Sequence, residues 1–270
     1  MTDTMSTQDP WQALRQFTDA RIALGHTGVS QPTAAQLAFQ LAHVRARDAV
    51  HLALDAQALK QAVDAAWPMP EPSIELHSAA SNRQVYLERP DLGRRLDTPS
   101  RAALASRRSI ATPDNPCDLA LIVADGLSAV AVEQNAPPLL AALRTHLAGD
   151  AWTVAPIVIA HQGRVALGDE IGELLGARIA VILIGERPGL SSPDSMGLYI
   201  TWAPRVGLTD ERRNCISNVR PAGLSCDTAA ARLYCLLGQA RRRQLTGIGL
   251  KDETGNATDL AEPVRRRFVL

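Results

Sequence analysis

The chain has 270 residues, enough for one large domain or a domain with a smaller appendage. Its composition, 46% hydrophobic and 21% charged, is globular, and 28 acidic residues balance 28 basic ones, which argues against an electrostatic nucleic-acid surface. No stretch approaches the roughly 20 apolar residues of a membrane span, and MTDTMSTQDP at the N-terminus has no signal-peptide core.

Residues 1–10 read as a flexible tail. From Trp11 to Leu24 apolar residues are spaced for an amphipathic helix that Gly25 and Gly28 end. Pro32-Thr33 opens a longer helix, roughly Ala34 to Leu54, and a third, Ala56 to Trp67, is closed by PMPEP. SIELHS alternates like a short strand. NRQVYLERPDLGRRL, with Pro90 and Gly93 breaking any long helix, reads as a surface loop or as an interaction segment.

Beyond Cys117 the rhythm changes. LALIVADG (Leu119–Gly126), TVAPIVIA (Thr153–Ala160), RIAVILIG (Arg178–Gly185) and LYITWA (Leu198–Ala203) are apolar strand candidates, with NCISNV a short fifth. Helical stretches fall between or after them at Pro137–Leu147, Gly168–Leu175 and Thr228–Gln244. Continuous apolar strands alternating with helices predict an α/β fold: a Rossmann-like, doubly wound, mainly parallel sheet over 111–270, preceded by a helical N-terminal region over 11–110. Ligands in such sheets sit beyond the carboxyl ends of the strands. That singles out Asp125–Ser128, His161–Val165, Gly185-Glu186-Arg187 and Asn214-Cys215.

None of these carries a dinucleotide or P-loop fingerprint. Asp125-Gly126-Leu127-Ser128-Ala129 is half of a nucleophile elbow, but Val130 stands where the second glycine belongs. Asp125 reads better as a helix cap, and a self-contained α/β hydrolase using Ser128 with His161 as base is the alternative. Cys117, Cys215, Cys226 and Cys235 lack metal or disulfide spacing and fit a reduced thiol set. Arg241-Arg242-Arg243 and Arg265-Arg266-Arg267 read as solvated faces.

Several longer segments carry a resemblance: TDARIALGHTG (Thr18–Gly28), VYLERPDLGRRLD (Val85–Asp97), LIVADGLSA (Leu121–Ala129), GRVALGDEIGELLGA (Gly163–Ala177), IGERPGLSSPDSMGLYITWAPR (Ile184–Arg205) and NCISNVRPAG (Asn214–Gly223). In this order, over nearly the whole chain, they resemble the small (light) subunit of ethanolamine ammonia-lyase. The resemblance implies a carbon–nitrogen lyase of two subunits that uses adenosylcobalamin for the radical conversion of ethanolamine to acetaldehyde and ammonia. The large subunit would carry the substrate site, and the small subunit would clamp the cobalamin from the other side within a hetero-oligomer of large–small pairs. It also makes 111–270 the cobalamin-binding domain.

Carried over by motif, the family's cofactor contacts fall on Val165 in GRV, Glu186 in GERPG and Cys215 in NCISN, with no catalytic residue and no metal ligand in this chain. Glu186 would accept hydrogen bonds from corrinoid amides; a surface ion pair with Arg187 or a neighbour is the plainer alternative. No histidine has Asp two residues before it, so the DxHxxG motif that replaces the nucleotide base on cobalt is missing. The resemblance then implies base-on cobalamin without a protein axial ligand. The N-terminus lacks the amphipathic extension that directs some relatives into a bacterial microcompartment, favouring a freely cytoplasmic enzyme over a packaged one.

Overall fold

The computed structural model describes residues 10–18, 20–108 and 117–251. The expected tail over 1–10, except Pro10, and the Arg265-Arg266-Arg267 cluster lie outside the described residues. The first stretch is shorter than its pattern predicts: a 3₁₀ turn over Pro10–Phe17. Left-handed backbone at Ala23, Gly25 and Gly28 carries the chain irregularly from there to the next helix.

Helix α1 (Thr33–His51) starts after Pro32, whose fixed φ suits a helix entry. It buries only Ala49 and leaves Leu37, Phe39, Leu41 and Val44 exposed. Helix α2 (Ala56–Ala66) is capped by Asp55, which accepts from the Ala58 N–H at 3.0 Å, and buries Leu59 and Val63. Strand β1 (Ile74–His77) follows, then α3 (Arg83–Glu88), capped by Asn82, and α4 (Thr98–Arg108). The side chain of Asp97 accepts from the Ser100 N–H at 2.8 Å and opens α4. The segment read as loop or interaction surface therefore holds a helix, and its Tyr86 is fully buried.

The remaining elements are β2 (Leu119–Ala124), α5 (Ala129–Leu147), β3 (Val158–His161), α6 (Leu167–Leu174), β4 (Ile179–Gly185), β5 (Met196–Trp202), β6 (Arg213–Val219) and α7 (Cys226–Arg243). The pattern placed the start of α5 at Pro137; the helix runs two turns earlier, through Pro137 and Pro138. Interior prolines each remove a backbone hydrogen bond. Burial of Val132 and Ala136 before them and Leu139, Leu140 and Leu143 after them in one core keeps the helix continuous.

The six strands form one sheet in the order β1-β3-β2-β4-β5-β6. Pairings β1/β3, β3/β2 and β2/β4 are parallel, whereas β4/β5 and β5/β6 are antiparallel. The sheet is thus mixed, which corrects the mainly parallel arrangement expected. The connections over 186–195 and 203–212 contain no crossover helix, and so short a return joins antiparallel neighbours. Alternation along the strands sorts the core into two layers. Leu119, Leu121 and Val123 of β2 face α2, α5 and α7, while Ala120, Ile122 and Ala124 face α4 and α6.

Candidate functional site

A cleft of about 390 Å³ lies at the carboxyl ends of β2, β3 and β4. Tyr86, Arg164, Val165, Glu186, Arg187 and Tyr199 are among the residues that line it. Two glycines shape its base. A Cβ on Gly126 (φ +57°) would stand 2.3 Å from the Gly185 carbonyl oxygen, and one on Gly185 would stand 2.1 Å from that of Ser128. The Leu127 N–H donates to the Gly185 carbonyl at 2.9 Å. The ends of β2 and β4 therefore meet backbone to backbone, with no side chain between.

Glu186 is the first residue after β4, and the chain around it is held from many sides. Gly189 and Ser192 exchange backbone hydrogen bonds at 3.1 and 3.2 Å, closing a tight turn. The Ser128 hydroxyl donates to the Pro193 carbonyl at 2.7 Å, the Asn135 amide to that of Asp194 at 3.0 Å, and Arg220 to that of Ser191 at 3.0 Å. The carboxylate itself accepts from the Ser195 hydroxyl and, at 3.3 Å, from the Asn218 N–H, both at Oε2. Glu186 forms no ion pair among the described residues, and Arg187 is exposed. The plainer alternative, an ion pair of Glu186 with Arg187 or a neighbour, is not found among the described residues.

Val165 and Arg164 lie in the turn between β3 and α6. Their position depends on Tyr86, whose hydroxyl donates to the Gly163 carbonyl at 3.0 Å. The Arg164 guanidinium sits 4.2 Å from the centroid of the Tyr86 ring and donates to the Tyr86 carbonyl at 3.2 Å. The Arg83 guanidinium lies 4.9 Å from the same centroid. Burial pushes the Tyr86 phenol well above its ordinary range, against the opposing pull of Arg164. Gly93 permits this contact, since a Cβ there would meet Arg164 Cγ at 2.9 Å.

Cys215 does not line the cleft. It is the cross-strand neighbour of Tyr199, which does, and the two side chains are hydrogen-bonded. Although Cys215 is exposed, partial desolvation by its neighbours raises its thiol; the Tyr199 hydroxyl opposes that and Glu186 adds to it. Tyr199 is raised by burial first and by Cys215 and Glu186 next. The phenol donates, the sulfur accepts, and both stay protonated at neutral pH. Val165 and Glu186 thus share the cleft wall beyond β3 and β4, whereas Cys215, expected at a strand end, lies within β6, level with Ile182 in the middle of β4 and one strand beyond Tyr199.

The residues of the hydrolase alternative are engaged elsewhere. Ser128, fully buried, is the cap of α5: its Oγ accepts from the Ala131 N–H at 3.3 Å while donating to Pro193. Asp125, expected as the cap, instead accepts from the Gly163 N–H at 3.2 Å and lies 3.5 Å from Arg83. His161 donates to or accepts from Glu75 at 2.8 Å and stacks on His77 with ring centroids 5.6 Å apart. Neither Ser128 nor His161 lines the cleft. Tyr86 and Tyr199 escaped the sequence reading as site residues, while Arg164 fell within the His161–Val165 stretch that the strand ends had singled out. For Tyr86 the available signal was a lone aromatic in the repeatedly charged VYLERPDLGRRLD, in a chain that is only 4% aromatic.

The molecule is an α/β protein whose cleft, at the strand ends where such folds take their ligands, is lined by a carboxylate, guanidinium groups and aromatic rings. Residues 8–251 match the family described as ethanolamine ammonia-lyase light chain (EutC). The chain is 58% identical over 246 residues to an ethanolamine ammonia-lyase small subunit of Pseudomonas putida (strain W619), covering 91% of this chain and 89% of that one. It is 56% identical over 264 residues to the small subunit from Ralstonia nicotianae (98% and 95% covered). To that of Pseudomonas aeruginosa (strain LESB58) it is 56% identical over 266 residues (98% and 96%). The chain belongs to the ethanolamine ammonia-lyase light-chain family.

Proposed function

We propose that this chain is the small subunit of an adenosylcobalamin-dependent ethanolamine ammonia-lyase and clamps the cofactor against a large catalytic subunit. The observation that carries the reading is the cleft itself: Val165 and Glu186, brought from separate strands, line one wall system, and Cys215 stands behind Tyr199 beside it. The parallel half of the sheet, β1-β3-β2-β4 between two helical layers, is read as a Rossmann-like platform.

The residues suit a corrinoid periphery. Cobalamin is rimmed by neutral amide side chains, and the Glu186 carboxylate has one oxygen, Oε1, with no partner among the described residues, ready to accept an amide N–H. Val165 and Tyr199 offer apolar surface to the ring system. His161, committed to Glu75 and stacked on His77, is in keeping with a base-on cofactor that takes no ligand from this chain. When bound, adenosylcobalamin supplies the radical that converts ethanolamine to acetaldehyde and ammonia. What this chain does is bind, orient and exclude water: Glu186 holds an amide, and the clasped 186–195 turn keeps that carboxylate in place.

The large subunit would cover the open side of the cleft. The exposed apolar side chains of α1, and Arg94 and Arg95 beyond the Tyr86 helix, are the contact candidates. Among the described residues no helix is long and apolar enough to cross a membrane.

The test is reconstitution with a large subunit from the same genome, assaying ammonia release from ethanolamine. Activity that needs both chains and adenosylcobalamin is expected, with Glu186→Ala raising the cofactor concentration required. A large subunit fully active alone refutes the clamp.

A further inference from the structure

The cleft carries more positive charge than its known contacts use. Arg164 and Arg187 line it against one carboxylate, Glu186. Of the two, Arg187 is exposed on the loop, whereas Arg164 is half-buried and fixed. Its backbone N–H donates to the Gly93 carbonyl at 2.8 Å, its guanidinium lies against the Tyr86 ring, and one Nη holds the Tyr86 carbonyl. Yet its buried Nε has no partner, and Arg164 forms no ion pair among the described residues. Arginines placed in walls are normally matched by an anion, because a partly desolvated guanidinium without one is unfavourable. Among the described residues no acidic side chain fills that role.

The geometry points to Arg164 as an anion-contacting residue of the cleft, and to the phosphodiester of cobalamin's nucleotide loop as the group it holds. This rests on the cofactor-clamping reading above. The remaining substituents of the corrin rim are neutral amides, which suit Glu186; the phosphodiester alone is anionic and suits a guanidinium. The cleft thus has two complementary sites, a carboxylate for an amide donor and a guanidinium for a phosphate. Tyr86 presets the second by stacking beneath Arg164 and fixing the direction of its planar fork. Arg164 then makes the subunit selective for complete cobalamin over cobinamide, the corrinoid that ends before the phosphate.

The experiment uses the assembled large–small complex and reads binding by absorbance titration, with cyanocobalamin and dicyanocobinamide as the probes. Arg164→Gln is expected to weaken cobalamin binding roughly tenfold or more while changing cobinamide binding by less than about twofold. Arg164→Lys, which keeps the charge and loses the fork, falls between. Equal losses for both corrinoids would overturn the inference, since Arg164 would then act only by holding the wall. No loss for either would overturn it as well. Should Arg164→Gln not assemble, ionic strength serves instead: wild-type affinity for cobalamin must fall more steeply with salt than affinity for cobinamide, and parallel slopes refute the phosphate contact. A wild-type complex that binds neither corrinoid refutes the clamp reading, and this inference with it.

Discussion

Glu186 and Ser195 are joined twice across the turn that follows β4: the Glu186 N–H donates to the Ser195 carbonyl at 2.9 Å, and the Ser195 hydroxyl donates to the Glu186 carboxylate. The turn between them is therefore closed at its base by the residue that faces the cleft. Ser195→Ala frees that carboxylate to rotate without removing its charge. Cofactor binding by the assembled complex should weaken about threefold to tenfold, the range of one hydrogen bond, and less than in Glu186→Ala. Titration with a non-reactive cobalamin checks this, and a Ser195→Ala complex as weak as Glu186→Ala would mean the turn itself had collapsed.

The close approach of Gly126 and Gly185 makes a second prediction. Gly185→Ala places a methyl 2.1 Å from one carbonyl oxygen and 2.5 Å from another, both rigid backbone. The ends of β2 and β4 must separate, at a loss of about 1–3 kcal/mol in stability. Gly149→Ala, where no atom lies within 4 Å, is the control and should leave urea denaturation unchanged.

Ser128→Ala removes the cap of α5 and one tether of the 186–195 turn together. The expected loss is about 1 kcal/mol in equilibrium unfolding. A serine-directed fluorophosphonate should not label the wild-type protein at this buried hydroxyl. Stoichiometric labelling would revive the hydrolase alternative.

The thiol of Cys215, exposed to reagents, titrates above its ordinary value because partial desolvation and the nearby Glu186 disfavour the thiolate, while the Tyr199 hydroxyl partly offsets them. Iodoacetamide should therefore alkylate Cys215 more slowly at pH 8 than it does a free cysteine, with the rate still rising above pH 9. Tyr199→Phe removes the one stabilising donor, so the titration should move further up. A downward move would show that the hydrogen bond runs the other way.

Burial also raises the Asp125 carboxyl, despite Arg83 at 3.5 Å and the Gly163 N–H. For an acid whose folded-state pKa lies above its unfolded value, the contribution to stability is fully present below the unfolded value. It is lost as pH rises through the folded value. Asp125→Asn should accordingly flatten the decline of stability over that window. An unfolding series in urea at stepped pH measures the slope, and a steeper slope in the variant would contradict the burial argument.

Strands β2, β3 and β4 were legible because each holds an apolar run buried on both faces, as in LALIVA and IAVILI, whereas β1 was legible from the alternation of IELH. The direction of β5 was not, because MGLYITW is equally apolar either way round, and only the length and content of the 186–195 connection decides it. Glu186 and Val165 could be placed at the sheet mouth from the strand ends alone. Tyr86 could not: its contacts with Gly163 and Arg164 are long-range, and its local surroundings of Arg, Gln and Glu resemble solvent-facing sequence. Ser128 and Asp125 exchanged roles for a similar reason. A capping side chain is chosen by backbone direction at the turn, and the left-handed Gly126 shifts the helix start by three residues.

Among the described strands β1 pairs with β3 alone, with β2 on the far side of that strand. During vectorial synthesis the N-terminal third emerges first and has no template to pair with until His161 has left the ribosome. At usual elongation rates that interval is roughly 4–17 s. Throughout it the edge strand and the apolar face of α1 stand open, so nascent chains of this protein should be clients of ribosome-associated chaperones until the third strand is delivered.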